Sequence, residues 1–394
     1  MAYPRWLPLL LGFLTAVGPL STDMYLPAFP SLEQSFCVPP GSAQITLATW
    51  FFGLAIGQLT QGSLADRFGR RRPFAIATVL YTVSSVGCAL APNLLTLAVL
   101  RFIMAIGGSA SMVIPRAIVR DVADGHAAAR LMSRLMLVMG VAPIVAPTLG
   151  GLILLVAPWR AIFWIGAAYG AISFVLVWRL LPETLATQHR VRLGLAGLLS
   201  RYGLVLKDKV FLAYMAIGSG GMFGMFAYIG GSSPVLIEQF GFSPAQYGML
   251  FGASAGCLIA ASQFAPLLLP RFGASRILRA ASLVYLLAAI ALTACAMSRF
   301  GGPAGVVVPV MVVMGTMGII MPSATVSALS RHAAQAGSAS AVMGTATFCL
   351  AAVSGELAGL LNDGTPRPMA ALILAGAVAV ITADRLRPKS RDAC

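Results

Sequence analysis

The sequence predicts an all-α polytopic membrane protein with twelve transmembrane helices in two six-helix bundles. Three observations predict it. Hydrophobic residues make up 58% of the 394 and charged residues only 10%, whereas soluble domains are about 45–50% apolar and about 25% charged. The apolar residues fall into twelve runs, most of them near the ~20 residues that cross a hydrocarbon core. The longest polar break, 182–209, divides those runs into two sets of six. With 27 basic and 12 acidic residues the chain cannot cover a soluble surface of this size, which excludes a soluble enzyme, a disordered chain and a disulfide scaffold.

The first set of runs is 6–30, 43–65, 74–91, 95–117, 132–155 and 159–181; the second is 210–235, 243–268, 276–297, 304–328, 336–361 and 368–384. The first run has only Arg5 ahead of it and no clear small-residue cleavage site; it is too long for a signal h-region and is expected to be retained. The domains expected are an N-terminal bundle over 1–181, a cytoplasmic central loop over 182–209 and a C-terminal bundle over 210–394. With the N-terminus inside, only Arg101, Arg160, Arg299 and Arg367 fall in or beside outside segments, and about 23 of the 27 basic residues fall inside. That asymmetry predicts both termini in the cytoplasm. The two halves also repeat each other. Arg67-Phe68-Gly69 recurs as Arg271-Phe272-Gly273 and Ala43-Gln44 as Ala245-Gln246, at offsets of 204 and 202 residues. Two parallel six-span repeats with a cleft between them is a layout of secondary transporters.

The net charge of +15 is read as positive-inside bias, with no nucleic-acid partner expected: the basic residues sit in short breaks without aromatic interleaving. Six cysteines (37, 88, 257, 295, 349, 394) form no CxxC, and His126, His189 and His332 have no ligand spacing, so no metal and no cofactor are expected. Walker A, HExxH, GxSxG and TVGYG sequences are absent, which argues against an ATP-driven pump, a hydrolase and a potassium channel.

Charges inside apolar runs mark candidate functional sites. Asp23 lies about 25 Å from the inner start of the first span, and Arg101 about 9 Å below the outer end of the fourth. The two depths agree, so the pair can face each other, either as a proton-coupling site or as a static ion pair orienting two helices. Glu356 near the outer end of span eleven is a second candidate for protonation, or simply reaches water. A gate is expected at 62–72: Gly62 for close helix approach, Asp66 for pairing with an arginine or a helix N-terminus, Gly69 for a tight turn, and Arg67, Arg70, Arg71 and Arg72 facing the headgroups. Span five carries Gly140, Pro143, Pro147, Gly150 and Gly151, where prolines remove backbone donors and small residues allow tight packing. Met24, Tyr25, Phe226, Gln263 and Phe348 are candidates for an apolar substrate pocket; ordinary helix packing is the alternative for each.

These segments resemble known motifs. The 62–72 cluster looks like motif A of the major facilitator superfamily, Arg101 to Gly107 like motif B, and Gly140 to Gly151 like the antiporter motif C. The opening Leu20-Ser21-Thr22-Asp23-Met24-Tyr25-Leu26-Pro27-Ala28 is similar to the first span of the Bcr/CflA family of drug-resistance transporters. Ala117 to Asp121, Trp159 to Trp164, Leu181 to Thr184 and Gly337 to Ala341 look like that family too. The resemblance implies a major facilitator fold and proton-driven export of small drugs, with bicyclomycin-, sulfonamide- or phenicol-like substrates, from a bacterial cytoplasm across the inner membrane. It makes Asp23 the membrane-embedded acid, Arg101 the motif B arginine and Asp66 the motif A aspartate. The partners expected are the drug, protons and membrane lipid, and the protein is expected to be a monomer and not an enzyme. The chain departs from the pattern at Met104, where motif B commonly has Gln, at Ala142 and Ala146 in place of motif C glycines, and at Glu356. The alternatives weighed are an exporter or uptake carrier for a small metabolite such as an amino acid or siderophore, and a transport-inactive membrane sensor.

Overall fold

In the computed structural model the described residues are 4, 6–123, 125–186, 188, 190, 195–332 and 336–388. All twelve apolar runs fall on helices, and no strand occurs among the described residues. Nine helical stretches there, from Leu7–Phe36 to Arg367–Leu386, are long and apolar enough to cross a membrane by length and composition.

The first run is not one helix. It is broken into α1 (Leu7–Thr15), α2 (Val17–Thr22), a 3-10 turn (Leu26–Ala28) and α3 (Phe29–Phe36). Pro19 and Pro27 explain the breaks, because each lacks the N–H that would close the helical bond four residues back. Asp23 caps the C-terminus of α2, its backbone N–H donating to the Pro19 carbonyl at 2.8 Å. The next helices are α4 (Gln44–Phe68), α5 (Arg71–Ala89), α6 (Leu94–Val122), α7 (Gly125–Ile153) and α8 (Arg160–Leu180). Asn93 starts α6, its side chain accepting from the Thr96 N–H at 2.9 Å.

The expected central loop contains a helix, α9 (Leu195–Leu206), built on an apolar stretch too short to cross a membrane. After it come α10 (Lys209–Ser233), prolonged by a π-helical turn over Pro234–Gln239, α11 (Pro244–Phe272), α12 (Ala274–Ser298), α13 (Gly302–Ser330), α14 (Ala336–Leu360) and α15 (Arg367–Leu386).

The chain groups into two compact units: unit 1 is 1–39, 45–193 and 243–252, and unit 2 is 40–44, 194–242 and 253–394. In unit 1, α5 packs on α6 and α8. One apolar core joins Leu7, Leu11 and Leu14 of α1, Phe74 of α5, Ile114 of α6 and Val177 of α8. In unit 2, α10 packs on α13, α14 and α15. A β-carbon at Gly376 of α15 would lie 2.8 Å from the Gly220 carbonyl oxygen of α10, so glycine is what allows these two helices to meet.

Candidate functional site

Arg101 in α6 is fully buried. Its Nη1 donates to the Ser21 carbonyl at 2.7 Å. Its guanidinium lies over three rings, 4.7 Å from Tyr25, 4.6 Å from Trp50 and 5.9 Å from Phe163. Cation–π contact with a desolvated guanidinium is worth about 2 kcal/mol or more, so the aromatic faces offset part of the cost of burying the charge. Nε and Nη2 have no hydrogen-bond partner among the described residues. Asp23 is also buried, but no ion pair joins it to Arg101 among the described residues. The expected acid–base pair is therefore corrected: the arginine is boxed by rings, and Asp23 sits two residues from the carbonyl that it grips. Met104, in place of the motif B Gln, is buried one turn along α6.

The rest of this region is tightly built. Tyr25 shares a hydrogen bond with Thr46 at 2.9 Å, and Ser21 with Tyr81 at 2.7 Å. Met24 and Tyr25 are buried. Gly150 in α7 has no room for a β-carbon, because it lies against the Met24 carbonyl. Gly151 approaches the Pro244 carbonyl oxygen, and Gly248 approaches that of Pro147, so α7 packs against residues 243–252 within unit 1. Gly140 and Pro143 fall within α7, but the surroundings of Gly140 and the side chain of Pro143 lie outside what is described.

At the other end of α4 the hub is Arg70. Its Nη1 donates to Asp66 Oδ1 at 2.5 Å, its Nε to Asp121 Oδ2 at 2.8 Å and its Nη2 to Asp121 Oδ1 at 3.3 Å, the two-pronged grip that only a planar guanidinium makes. Burial works against its charge, but the bonds to Asp121 and Asp66 outweigh it and raise its pKa further above the ordinary arginine value. Glu183 accepts from the backbone N–H of Arg70 at 2.7 Å and of Arg71 at 3.4 Å, satisfying donors at the start of α5. Gly69 makes the turn at φ 92°, and a β-carbon there would strike the Glu183 carboxylate. Arg71 donates to the Trp178 carbonyl and stacks on its ring at 5.1 Å, and Arg67 lies over Phe68 at 5.2 Å. Asp66 therefore pairs with an arginine, as the sequence suggests. Gly62 is not the close-approach residue: a β-carbon there would meet Val113 at an ordinary 3.6 Å, whereas Gly53 and Gly57 of α4 lie directly against Phe102, Ala105 and Ser109 of α6.

In unit 2, Phe226 and Phe348 are buried on α10 and α14. Gln263 is exposed on α11, its amide donating to Ser262 Oγ at 3.3 Å. Glu356 is half-buried on α14, with Oε2 unpartnered and no ion pair among the described residues. Hydroxyls supply the interior polarity: Ser354 donates to the Phe223 carbonyl at 2.6 Å, and Tyr228 to Ser254 at 3.3 Å.

The sequence profile of the Major Facilitator Superfamily matches residues 11–356. The chain belongs to that superfamily. An uncharacterized MFS-type transporter, YdgK of Bacillus subtilis, is 36% identical over 380 residues, covering 94% of this chain and 92% of that one. A bicyclomycin resistance protein homolog of Haemophilus influenzae is 31% identical over 375 residues, covering 95% and 93%. Multidrug resistance protein MdtL of Shewanella oneidensis is 27% identical over 382 residues, covering 96% and 95%. Among solved structures, a D-xylose–proton symporter superposes with a TM-score of 0.75 at 17% identity, covering 97% of each chain; this shows the fold. This major facilitator chain is thus a multi-pass membrane transporter and not an enzyme.

Four residues of the major facilitator site were given no role by the sequence reading, although Phe163, Asp121 and Glu183 lie in segments that it matches to the family. Trp50 and Phe163 wall the arginine, and Asp121 and Glu183 complete the Arg70 cluster. The first two were findable. Counted from the outer ends of their spans, Trp50 and Phe163 lie about 10 Å and about 6 Å deep, close to the depth of Arg101.

Proposed function

We propose that this transporter exports small drugs in exchange for protons by alternating access, working as a monomer in a bacterial inner membrane with both termini in the cytoplasm. The observation that carries the reading is Asp23: a buried carboxylate at the break of the first span, without an ion pair among the described residues, two residues from the Ser21 carbonyl that the caged Arg101 holds. An acid already locked to a cation would have to break that bond before it could take a proton; this one does not. Facing outward, Asp23 takes a proton as the drug leaves. Facing inward, it loses the proton as the next drug binds. The coupling is reciprocal, because drug and proton each lower the affinity for the other. One charge moving inward supplies about 2.3 kcal/mol per 100 mV. The drug class follows the names of the bicyclomycin and multidrug resistance relatives, and the orientation follows the Lys and Arg asymmetry of the loops.

Arg101 holds the Ser21 carbonyl, two residues before Asp23, and so fixes the backbone that carries the acid. Met24, Tyr25, Phe226, Gln263 and Phe348 are the residues assigned to the substrate, and Glu356 is the second proton candidate. The Arg70 cluster with Gly69 and Asp66 is the gate, where Asp66 keeps a side chain 50% exposed for a further partner. The α7 segment around Pro147, Gly150 and Gly151 is the rigid wall behind Met24.

The test is proton movement in energised inverted vesicles as antibiotics are added, comparing the intact protein with Asp23→Asn. Drug-triggered proton efflux that vanishes in the variant is expected. Efflux that persists in it overturns Asp23 as the carrier and moves the test to Glu356. No efflux with any drug from folded protein overturns drug export.

A further inference from the structure

Gln44 stands at the start of α4 and Gln246 at the start of α11, matched at the 202-residue offset of the internal repeat, yet the two amides are used differently. Gln246 stays local. Its Oε1 accepts from the Ser243 N–H at 2.9 Å, and its own N–H donates to Ser243 Oγ at 3.2 Å, the reciprocal capping box of a helix N-terminus. Gln44 cannot close such a box, because Gly41 stands where Ser243 does and carries no hydroxyl. Its side chain crosses to α10 instead, where Nε2 donates to the Gly230 carbonyl at 3.0 Å.

That carbonyl is the one that Pro234 leaves without its helical donor. An α-helix would use the N–H four residues on, and proline has none. Beyond this point the chain winds as the π-helical turn Pro234–Gln239, with the Phe240 N–H donating five residues back to the Val235 carbonyl at 3.1 Å. Such turns are rare and frequent at functional sites. The Gln44 amide thus stands in for the bond missing where α10 meets its π-helical turn. Packing fixes it there. A β-carbon at Gly359 of α14 would lie 2.6 Å from the Gly41 carbonyl oxygen and 2.8 Å from Gln44 Cβ, so the start of α4 lies directly on α14.

Gln44 is 1% exposed, yet its Oε1 accepts no hydrogen bond among the described residues. One half of the amide is satisfied and the other is stranded away from water. A buried acceptor without a donor is costly, and contact with water removes that cost, so the bond to Gly230 holds the junction without locking it. Residues 40–44 group with unit 2, and α4 continues from Ile45 in unit 1; a movement of unit 1 therefore pulls on this residue.

We propose that Gln44 is a positioning residue of the transport cycle, a latch that holds the junction of α10 in one state and releases it in the other. The proposal rests on the alternating-access part of the transport reading, not on the drug or the proton carrier. Ser233, one turn beyond Gly230 on the same face of α10, is fully buried while the latch is closed, and release uncovers it.

The test reads that opening on the full chain purified in detergent, as the rate at which a thiol reagent modifies a Ser233→Cys parent. The parent also carries Cys37→Ser, because Cys37 is exposed. Labelling needs neither drug nor proton gradient, so its outcome is separate from that of drug export. Gln44→Glu keeps the shape and removes the amide donor; at pH 8 closing the latch then needs either a carboxylate against a carbonyl or the uptake of a proton. Labelling is expected to be about tenfold faster than in the parent, the factor for one good hydrogen bond. The excess is expected to shrink at pH 5.5, where the protonated acid can donate to the carbonyl again; a core that is merely loosened would keep it. Gly359→Ala adds no charge, displaces Gly41 and Gln44 from α14, and is expected to speed labelling as well. Two controls are expected to leave the rate unchanged: Gln246→Glu, which still closes a capping box, and Gly355→Ala one turn back along α14, where a β-carbon meets nothing within 4 Å. Melting curves identify the folded variants. An unchanged rate in folded Gln44→Glu or Gly359→Ala, an excess in Gln44→Glu that is the same at both pH values, or an equal rise in either control would each overturn the proposal.

Discussion

The two units bury charge very differently. Unit 1 encloses Asp23, Glu33, Arg70 and Arg101, whereas Asp384 is the one charged residue enclosed in unit 2 among the described residues, and it sits near the end of α15. Buried hydroxyls occur in both. The repeat visible in the sequence is therefore a repeat of turns and helix lengths, not of chemistry. At the matching turn, Arg70 of unit 1 has Ala274 as its counterpart one residue after Gly273. Enclosed charges are costly unless paired and hydrogen-bonded, and unit 1 meets that cost with rings at one end and carboxylates at the other. Charge movement, and with it proton coupling, belongs to unit 1 on this reading; unit 2 offers a hydroxyl-lined and aromatic interior.

The largest effect is expected at Arg70. Arg70→Gln leaves Asp66 and Asp121 facing each other without their shared cation, and breaking a buried pair by removing one partner costs about 3–5 kcal/mol. Asp66 is half exposed, so about 3 kcal/mol of destabilisation is the expected outcome, read as a lowered melting temperature in detergent. Arg271→Gln at the matching turn of unit 2, where the side chain is exposed, is expected to change stability by less than about 0.5 kcal/mol. Equal losses at the two turns would break the comparison.

Arg101→Gln comes next. It removes the Nη1 bond to the Ser21 carbonyl and empties the ring box; an acceptor left unsatisfied costs about 1–3 kcal/mol. Transport is expected to fall far more than stability, because the bond that fixes the backbone at Ser21, two residues before Asp23, is gone. A variant that melts early but transports normally would make Arg101 a packing residue only.

A smaller and symmetric effect is expected at the hydroxyls. Ser85 donates to the Phe163 carbonyl at 2.9 Å in unit 1, and Ser354 to the Phe223 carbonyl at 2.6 Å in unit 2. Ser85→Ala and Ser354→Ala are each expected to cost about 1 kcal/mol. A loss confined to one of them would show that the units differ in more than charge.

The helices were legible because membrane-spanning length is a sum over about 20 residues, so single misread positions do not matter. The site was legible only in part. Depth arithmetic puts Asp23 and Arg101 at one level, but depth carries no azimuth, and the direction in which a side chain points decides between a carboxylate and three rings. The same limit explains Gly62. A glycine on a helix signals close approach, yet only the position of the neighbour shows that Gly53 and Gly57 make it. The break at Asp23 was available from Pro19 and Pro27, whereas the role of Asp121 depends on a fold contact 51 residues from Arg70.

The smallest effect is expected at Asp208, the acid at the start of α10. It accepts from the Val210 N–H at 2.9 Å and from Arg331 Nε at 2.8 Å, with His332 Nε2 at 3.2 Å. Partial burial pushes its pKa up, but the Arg331 and backbone hydrogen bonds outweigh this and hold it below the usual carboxylate range. A depressed folded-state pKa means that the unfolded chain binds the proton first as pH falls. The stabilisation is then fully present above the ordinary carboxylate value, near pH 4, and is lost as pH drops from there through the lower folded-state value. Asp208→Asn is therefore expected to leave the melting temperature almost unchanged below that window and to lower it slightly above. Melting curves of the two proteins from pH 3 to pH 7 check this: a gap that stays constant across the range would mean that the side chain acts as a helix cap alone, with no contribution from its charge.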